Sequence, residues 1–448
     1  MYKKELSVVI SGIIKEFNFS FDEVVLVTQE AVNQGGTRRV AELIFEWIGA
    51  IIYQNYNELV IPKMDTPCCD TPYWLKHAKS TKTVQTSLGK LKINTCRMKC
   101  HNCGATHSPF NIFFGLSKRS WSYELEKSVL ESVKDQSYRR SVKELNRSGV
   151  IQVNRNLIHR MATNSDFMKQ DLHIDDNLDS IIADGTGYKP HKDKSKKELK
   201  IVLGMAGTQL VPIGAWVRSS WRQIGREIKN TNYKNKKLKF KPIANVLISD
   251  GDRNLIRGLK YLAYHEQRCQ WHLVRDFKYA YLYQDEGGTK DEWLEYKKKL
   301  WELLQRAEPE NLDLNNLAQD EASLTIMREV WLAEKELSEL EEKLKADKFS
   351  KAATYLRNAR EQLFTHLRFL IKTGEEIPKV TSRIERFMRE MGRRMKRIAH
   401  NWSEAGAEAM ARILLQLTLN KEGWDKYWIE KMKISGNFNL DVKIVHST

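Results

Sequence analysis

The chain has 448 residues, of which 41% are hydrophobic, so it is long enough for two or three domains with proper cores. Lys and Arg number 74 against 57 Asp and Glu, and the net charge of +17 predicts a polyanionic partner. No stretch is long and apolar enough to span a bilayer, and six cysteines are too few for a disulfide scaffold in a chain of this size.

Residues 1–62 are predicted to form N-terminal helices. Charges flank a short apolar run, without a small-residue cleavage site, in the starting sequence "MYKKELSVVISGIIKEF". This pattern indicates an amphipathic helix rather than a signal peptide. Helical periodicity and a wide apolar face follow in "RRVAELIFEWIGAIIYQNYNEL", which predicts a packing helix.

Residues 63–112 are predicted to be zinc-ribbon-like. Apolar residues alternate on both sides of a turn at Gly89, which predicts a β-hairpin. The hairpin leads into a Cys-x-x-Cys knuckle at Cys100 and Cys103, and two more cysteines, Cys68 and Cys69, lie upstream. A tetrahedral structural zinc held by these four thiolates is the expected cofactor of this segment.

The first half of this ribbon is irregular, because Cys68 and Cys69 are adjacent and adjacent cysteines rarely ligate one ion. A substitute ligand could come from His77, Cys96, His101 or His107. The alternative is a ribbon fold without metal that keeps buried cysteines.

Residues 113–170 are predicted to be helical, with helix-turn-helix spacing around Gly149. Polar and basic side chains along the second helix suit reading of a DNA groove, and Arg155 and Arg160 are the expected DNA contacts. Many helical hairpins share this pattern, so a packing role stays open. The residues on this helix are Asn154, Arg155, Asn156, His159 and Arg160.

Strands are predicted from residue 179, and 179–284 is expected to form the first part of an α/β core. An antiparallel hairpin is indicated by "LKIVLGMA" and "QLVPIGAWV", and a buried strand by "ANVLIS". Residues 189–240 carry 14 Lys and Arg against 3 acids, and they are either a path for DNA or a solvated loop. Residues 285–380 are expected to be an all-helical insertion, and 381–448 to hold the rest of the core and a tail.

Two apolar strands each end in Asp-Gly, at Asp184 and at Asp250. Because ligands bind beyond the carboxyl ends of parallel strands, these carboxylates could meet at one edge. Close carboxylates are tolerated chiefly around a divalent cation, so Mg²⁺ or Mn²⁺ is the expected ligand. Asp252 is a weaker candidate for the second position, and a simple turn-forming role for Asp184 is the alternative.

A third carboxylate is expected from "SRIERFMREMGRR". On a helix Glu385 and Glu390 lie about 140° apart, so at most one points into a site. The helix is strongly basic, which suits a metal site that grips phosphates, and Arg386, Arg389 and Arg393 are expected DNA contacts. The alternative is a solvated helix with ion pairs such as Glu385 with Arg389.

These motifs, in this order, resemble the DDE transposases of the Mutator-like superfamily, in the prokaryotic insertion-sequence branch. The matching segments are "IIADGTGYK", "VLISDG", "CQWH", the helical insertion and "RIERFMREMGRRMKR". The resemblance implies an RNase H-like core interrupted by the insertion, with Asp184, Asp250 and Glu385 as catalytic metal ligands. Glu404 and Glu408 are rivals for the third position.

The resemblance also implies two Mg²⁺ or Mn²⁺ ions, DNA as partner, and a homo-oligomer in the synaptic complex. The reaction would be strand cleavage at element ends, followed by attack of the 3′-OH on target DNA. His272 of "CQWH" would contact a phosphate or support the site, because no second half of a zinc site lies near Cys269 and His272. A cytoplasmic, nucleoid-associated location without a membrane partner is expected.

Two other functions fit part of the sequence. An RNase H-like nuclease would need the same carboxylates but would not join strands. A domesticated DNA-binding protein would keep the ribbon and the basic surface but lose a carboxylate, and all three candidates are present here.

Overall fold

The computed structural model describes ten segments of the chain: 6–14, 20–31, 37–64, 66–164, 178–190, 197–233, 241–283, 288–314, 317–398 and 402–446. They form two compact units, one comprising Met1–Met168 with Lys421–Thr448, the other Lys169–Asn420. The predicted boundaries kept 381–448 together, whereas the fold divides this segment at residue 421. No helix within the described segments is both long and apolar enough to cross a membrane.

The first element, β1 (Leu6–Ile14), is a strand and not the predicted amphipathic helix. It pairs antiparallel over its whole length with the strand Phe438–His446 at the other end of the chain. The sequence "LSVVISGII" is rich in β-branched residues, which favour strands. Because the pairing partner is so distant in sequence, the local charge pattern gave no sign of it.

Three helices follow, with a 3₁₀ turn at Ile61–Lys63 after them. Phe21 and Phe45 stack at 4.2 Å between ring centroids and anchor the core of this unit. A three-stranded sheet comes next, in the order β2-β3-β4, and the hairpin turn lies before Gly89, which has a φ of 99°. The elements are α1 (Phe21–Ala31), α2 (Thr37–Gln54), α3 (Tyr56–Leu59), β2 (Trp74–Thr86), β3 (Gly89–Cys100) and β4 (Thr106–His107).

A short helix and a group of three packed helices complete the N-terminal part of this unit. Gly149 adopts a left-handed conformation, with a φ of 74°, and ends the turn that precedes the last helix. The layout of helix, glycine turn and helix is the one predicted. The helices are α4 (Pro109–Phe113), α5 (Tyr123–Ser132), α6 (Tyr138–Leu145) and α7 (Arg155–Asn164).

A five-stranded mixed sheet forms the centre of the second unit, in the order β7-β6-β5-β8-β9. β6 pairs antiparallel with both β5 and β7, while β5, β8 and β9 run parallel. The strands are β5 (Leu178–Tyr188), β6 (Lys197–Ala206), β7 (Gln209–Trp216), β8 (Ala244–Ser249) and β9 (Ala263–Arg268).

Part of the basic stretch 189–240 is not a loop but an amphipathic helix, α8 (Trp221–Tyr233), which packs on α9 (Arg253–Leu259). Trp221, Ile224 and Ile228 are fully or almost fully buried and recur at helical spacing. This signal was present in the sequence, but the high density of basic residues hid it. Residues 191–196 and 234–240 of the stretch lie outside the described segments.

Residues 285–380 were predicted to be an all-helical insertion, and the regular elements in its described part, 288–314 and 317–380, are all helices. Its helices share one apolar core with α10, the helix that leads into them from the sheet. They are α10 (Gln270–Leu282), α11 (Lys290–Arg306), α12 (Gln319–Ala346), α13 (Ser350–Arg360) and α14 (Thr365–Thr373).

The chain then returns to the sheet through α15 (Ser382–Gly392), which packs on β5 and continues into the π-helix Arg393–Ile398. The buried helix α16 (Glu404–Leu419) packs on β7. Two elements complete the first unit, α17 (Lys421–Met432) and β10 (Phe438–His446). The former is tied to α5 by an ion pair of 2.9 Å between Lys127 Nζ and Asp425 Oδ1.

Candidate functional site

Four thiols converge in the first unit. The ligand atoms of Cys68, Cys69, Cys100 and Cys103 all lie within 4.8 Å of one another. Cys100 ends β3, and Cys103 lies in the turn that follows, where the amide of Gly104 donates to the carbonyl of Cys100 over 2.9 Å. The adjacent cysteines therefore both reach the cluster, despite the irregular spacing.

The thiol cluster has the dimensions of a tetrahedral zinc site. Zn–S bonds of about 2.3 Å give S···S edges of about 3.8 Å. The Sγ atoms of Cys68 and Cys69, and those of Cys69 and Cys100, are 3.8 Å apart. Burial raises the pKa of the Cys100 thiol, but backbone hydrogen bonds at Cys103, Tyr73 and Asn102 outweigh it and lower the value to about 6. Burial raises the pKa of the Cys68 and Cys69 thiols. One thiolate is thus favoured, at Cys100, and the four thiols together could bind zinc.

None of the substitute ligands considered from the sequence belongs to this cluster. His107 Nε2 is 2.9 Å from the Tyr56 hydroxyl, and its ring packs edge-on against Trp74. His107 is therefore part of the aromatic packing of the first unit. The others are His77, Cys96 and His101.

The second helix of the helix-turn-helix presents a polar face. Ile158 and Met161 are buried on one side of α7, and the side chain of Asn154 caps the helix by accepting from the amide of Leu157 over 2.9 Å. The predicted DNA contacts lie on the opposite, solvent-exposed side. The exposed residues are Asn154, Arg155, Asn156, His159 and Arg160.

In the second unit, Asp184 and Asp250 lie at the same level of adjacent parallel strands. Ile182 on β5 is paired with Ile248 on β8, and each aspartate follows two residues later. Neighbouring strands are about 4.8 Å apart, and residues in register point to the same face of a sheet. The two carboxylates therefore project together at the carboxyl edge of the parallel strands.

Burial raises the pKa of the Asp184 carboxyl to about 6 from its ordinary value of 3.8. The negative charges of Asp250 and Glu385 act in the same direction. They are opposed by the hydrogen bond from the amide of Gly185, 2.7 Å from Asp184 Oδ1, and by the charge of Arg275. The predicted end of the first strand at Asp184 is wrong, because β5 continues past this residue to Tyr188 and stays paired with β6. Three carboxylates, from within β5, from the residue after β8 and from a helix, thus share one electrostatic neighbourhood.

The turn after β8 fixes Asp250. The amide of Asp252 donates to Asp250 Oδ1 over 2.9 Å, and the side chain of Asp252 accepts from the amide of Asn254 over 2.8 Å. Asp252 therefore caps α9, which leaves Asp250 as the carboxylate at the strand end. Gly251 has a φ of 91°, a conformation that strongly favours glycine.

Arg268 fills the space beneath this turn and was not noticed in the sequence. A Cβ atom at Gly251 would lie 1.4 Å from Arg268 Nη1, so another residue here would displace the guanidinium as well as strain the backbone. Nη2 of Arg268 donates to the Tyr355 hydroxyl over 2.8 Å, and Tyr355 belongs to α13 of the helical insertion. The insertion thus braces the Asp250 turn through two side chains, a link that no local sequence pattern reveals.

Glu385 is held by a small cluster around Thr381. The Thr381 hydroxyl lies 3.0 Å from Glu385 Oε1, 3.1 Å from His272 Nδ1 and 3.4 Å from Cys269 Sγ. His272 Nδ1 is also 3.3 Å from Cys269 Sγ and 3.8 Å from Glu385 Oε1. The motif "CQWH" therefore contacts the segment that carries the third carboxylate.

His272 is 6% exposed and neutral at neutral pH, because burial and then the charge of Arg275 lower its pKa. The amide of Cys269 donates to the carbonyl of Ser249 over 2.9 Å, which ties this motif to the strand that ends at Asp250. Among the described residues, Cys269 and His272 are not part of a group of three or more ligating side chains. They support the site through Thr381.

The rival glutamates have other partners. Glu404 forms ion pairs with Arg218 and Lys197, and Glu408 pairs with Arg412 at 3.0 Å. Glu390, the other acid of α15, pairs with Arg393 at 3.0 Å. The glutamate whose charge acts on Asp184 is Glu385.

The basic residues of α15 differ in their exposure and in whether a carboxylate pairs with them. Arg386 and Arg389 are exposed, and neither forms an ion pair with a carboxylate in the described segments. The pair of Glu385 with Arg389 considered from the sequence is therefore not formed. Arg393 is half-buried and held by Glu390.

The chemistry of the three carboxylates suits a divalent cation. Oxygen ligands without sulfur favour Mg²⁺ or Mn²⁺, and their mutual repulsion is relieved by a cation. In the described part of the chain, the thiols, and not the carboxylates, form a group of ligand atoms within 4.8 Å of one another.

No family model matches the sequence, and no curated protein matches it. Among solved structures, the chain is similar to the Drosophila P element transposase strand transfer complex, with 11% sequence identity and a TM-score of 0.39. The match covers 69% of this chain and 95% of the other. The structural neighbour is a transposase, but a likeness at this level assigns neither a family nor an activity to this chain.

Proposed function

We propose that the chain is a DDE transposase of the Mutator-like type with an RNase H-like core. It would cleave DNA strands at element ends and transfer the freed 3′-OH to target DNA. One observation carries the proposal: Asp184 and Asp250 stand at the same level of adjacent parallel strands, and the charge of Glu385, from a helix after the insertion, acts on Asp184.

The proposed cofactors are two Mg²⁺ or Mn²⁺ ions held by Asp184, Asp250 and Glu385, as the oxygen donors suggest. Such ions, when bound, activate the attacking oxygen and stabilise the charge that develops on the phosphate. The raised pKa of Asp184 supports this role, because a carboxyl destabilised by burial and by neighbouring charges gains most from a cation.

The other residues of the site would position these ligands. Thr381 donates to Glu385 and is itself held by His272, and we assign His272 this supporting role. Neutral His272 adds no positive charge that would compete with a cation. Arg268 and Tyr355 would keep the Asp250 turn in place from below.

DNA would be held by exposed cations in both units. On α15, Arg386 and Arg389 are the exposed cations, a few residues from Glu385, and both suit contacts to the phosphates of the reacting strand. On α7, Arg155 and Arg160 suit recognition of an element end, and a zinc-bound thiol cluster would stabilise the unit that carries them. We also propose that the active form is a homo-oligomer on paired ends.

The test uses the full chain and linear DNA made from the sequences that flank the gene. Uncut ends and pre-cut ends with a free 3′-OH are incubated with Mg²⁺ and a supercoiled plasmid. We expect the wild-type chain to cleave the uncut ends and to join both kinds of end to the plasmid. The Asp184→Asn variant should neither cleave nor join. Cleavage without joining of pre-cut ends would identify a nuclease instead. If the wild-type chain, with all three carboxylates, binds these ends but does not cleave them, it is a DNA-binding protein without transposase activity.

A further inference from the structure

An exposed ridge of aromatic and cationic side chains runs along α10. Trp271, Arg275 and Tyr279 recur every four residues on α10, the spacing of a ridge on a helix surface, and Tyr283 follows at the same interval as the residue that ends the helix. The three aromatic residues are 40%, 59% and 68% exposed, while the opposite face of α10 is buried in the core of the insertion. We call these four residues the α10 ridge.

The α10 ridge begins beside the carboxylates. The ring of Trp271 lies 4.9 Å from that of His272 between centroids. The charge of Arg275 acts on both Asp184 and His272. From there the ridge extends along the helix for about 18 Å, at 1.5 Å per residue.

The ridge presents flat faces rather than an apolar seam. The guanidinium of Arg275 lies over the Trp271 ring, 4.8 Å from its centroid. Tyr279 and Tyr283 stack at 5.9 Å with an interplanar angle of 17°. Each aromatic group carries a polar atom, and Arg275 lies between them, held by Asp276 through two hydrogen bonds of 2.6 and 2.8 Å. This composition suits stacked bases better than the apolar side chains of a protein partner.

A cleft of about 370 Å³ adjoins the ridge at Ala280 of α10. Arg253, from the N-terminus of α9, and Lys351 and Asn358 of α13 line it. None of the described residues that line this cleft is acidic. It offers cations and hydrogen-bond donors along the side of the ridge, where a nucleic-acid backbone would need them.

We infer that the α10 ridge binds a single-stranded DNA segment next to the carboxylates, with unpaired bases stacked on Trp271, Tyr279 and Tyr283. Trp271 and Tyr279 are about 12 Å apart along the helix. The rings of Tyr279 and Tyr283 are 5.9 Å apart, close to the spacing of bases in an extended strand. The inference rests on the proposed function, since it assigns the ridge to a strand that is separated from its complement at the cleaved end.

The test measures the fluorescence anisotropy of a labelled single-stranded oligonucleotide bound to the full-length protein in buffer without Mg²⁺ or Mn²⁺. Replacing Trp271, Tyr279 or Tyr283 by Ala should weaken this binding by roughly 5- to 150-fold each. The affinity of the same variants for duplex DNA of the same sequence should change by less than about twofold, because the duplex is held by phosphate contacts. Tyr279→Phe should restore binding, and Tyr279→Leu should not.

Two exposed aromatic residues elsewhere in the second unit serve as matched controls. Trp331 on α12 is 61% exposed and Tyr264 on β9 is 52% exposed. Trp331→Ala and Tyr264→Ala should leave single-strand binding unchanged. All the substituted side chains are exposed, and a thermal melt of each variant checks that the fold is kept.

Unchanged single-strand binding in the triple Ala variant would overturn the inference. So would equal losses for the single strand and the duplex, or tighter binding of the same sequence as RNA. The proposed function fails separately. If the wild-type protein never cleaves DNA with Mg²⁺ but the ridge variants lose single-strand binding, the ridge site is supported and the transposase assignment is wrong.

Discussion

The Thr381 hydroxyl donates a hydrogen bond of 3.0 Å to Glu385 Oε1, one helical turn along the start of α15. The same hydroxyl lies 3.1 Å from His272 Nδ1, which connects the sheet edge to the last helix of the site. The third carboxylate is therefore oriented by a neutral group that reaches back to the motif after β9. A side chain with no charge of its own links parts of the chain that are far apart in sequence.

Thr381→Val keeps the shape of this side chain and removes its hydroxyl. A hydrogen bond to a charged group is worth about 1.5–3 kcal/mol, so we expect Mg²⁺-dependent cleavage to fall by roughly 10- to 100-fold. Binding of duplex DNA should not change, because the hydroxyl is buried. Thr381→Ser should restore cleavage. Equal cleavage rates for the Val variant and the wild type would show that Glu385 needs no such support.

Asp184→Asn and Asp250→Asn each remove one charge from the sheet edge and keep the side-chain shape. We expect both variants to lose Mg²⁺-dependent cleavage while duplex binding stays within about twofold, since binding depends on Lys and Arg contacts. Cleavage of a labelled end and binding to it are measured on the same samples. Glu404→Gln is the matched control, because Glu404 is paired with Arg218 and Lys197 and should be dispensable for cleavage.

Asp184→Asn should also stabilise the metal-free protein. Because the pKa of Asp184 is raised to about 6, the folded state binds more protons than the unfolded state between pH 3.8 and about 6. Stability is therefore lost as pH rises through that window, by up to about 3 kcal/mol. Denaturant melts without added Mg²⁺ or Mn²⁺ should show the Asn variant more stable at pH 7.5 and close to the wild type near pH 4.

The matched control is Asp252→Asn, in the turn after β8, since Asn caps a helix as well as Asp does. It should change stability little at either pH. If the metal-free Asp184→Asn variant is less stable than the wild type at pH 7.5, the prediction is wrong, and neighbouring groups of the protein stabilise the charge of Asp184.

Sequence reasoning found both aspartates because each follows a buried apolar run, a purely local pattern. It placed the end of the first strand too early, since β5 continues to Tyr188 through its pairing with β6. It did not find Arg268, whose structural role depends on its contacts with Gly251 and Tyr355. Only the fold brings these three residues together. For the same reason it missed β1, whose hydrogen bonds go to the last strand of the chain.

The thiols illustrate a different limit of sequence reasoning. Spacing alone made Cys68 and Cys69 poor joint ligands, because side chains of adjacent residues in regular structure point apart. These two lie in the irregular segment before β2, where the backbone lets both Sγ atoms approach Cys100 and Cys103. Regular spacing rules therefore do not apply where the chain is neither helix nor strand.

The thiol cluster should hold one zinc ion per chain. Cys100→Ser should abolish zinc content measured by elemental analysis and lower the melting temperature of the first unit, because zinc binding contributes directly to folding. Cys96→Ser is the matched control, since Cys96 lies on the same strand outside the cluster. A wild-type chain purified without chelator that carries no zinc and melts unchanged in chelator would contradict this prediction.

The last prediction concerns the exposed arginines of α15. Each phosphate neutralised by a cation adds about 0.9 to the slope of log affinity against log salt. Arg386→Ala with Arg389→Ala should therefore flatten that slope by about 2 and weaken specific and random DNA alike. Arg393→Ala should change it much less, because Glu390 already holds this guanidinium at 3.0 Å. If the slope stays constant in the double variant, the phosphates follow another path, and the exposed cations Arg222 and Arg226 of α8 are the next to be replaced.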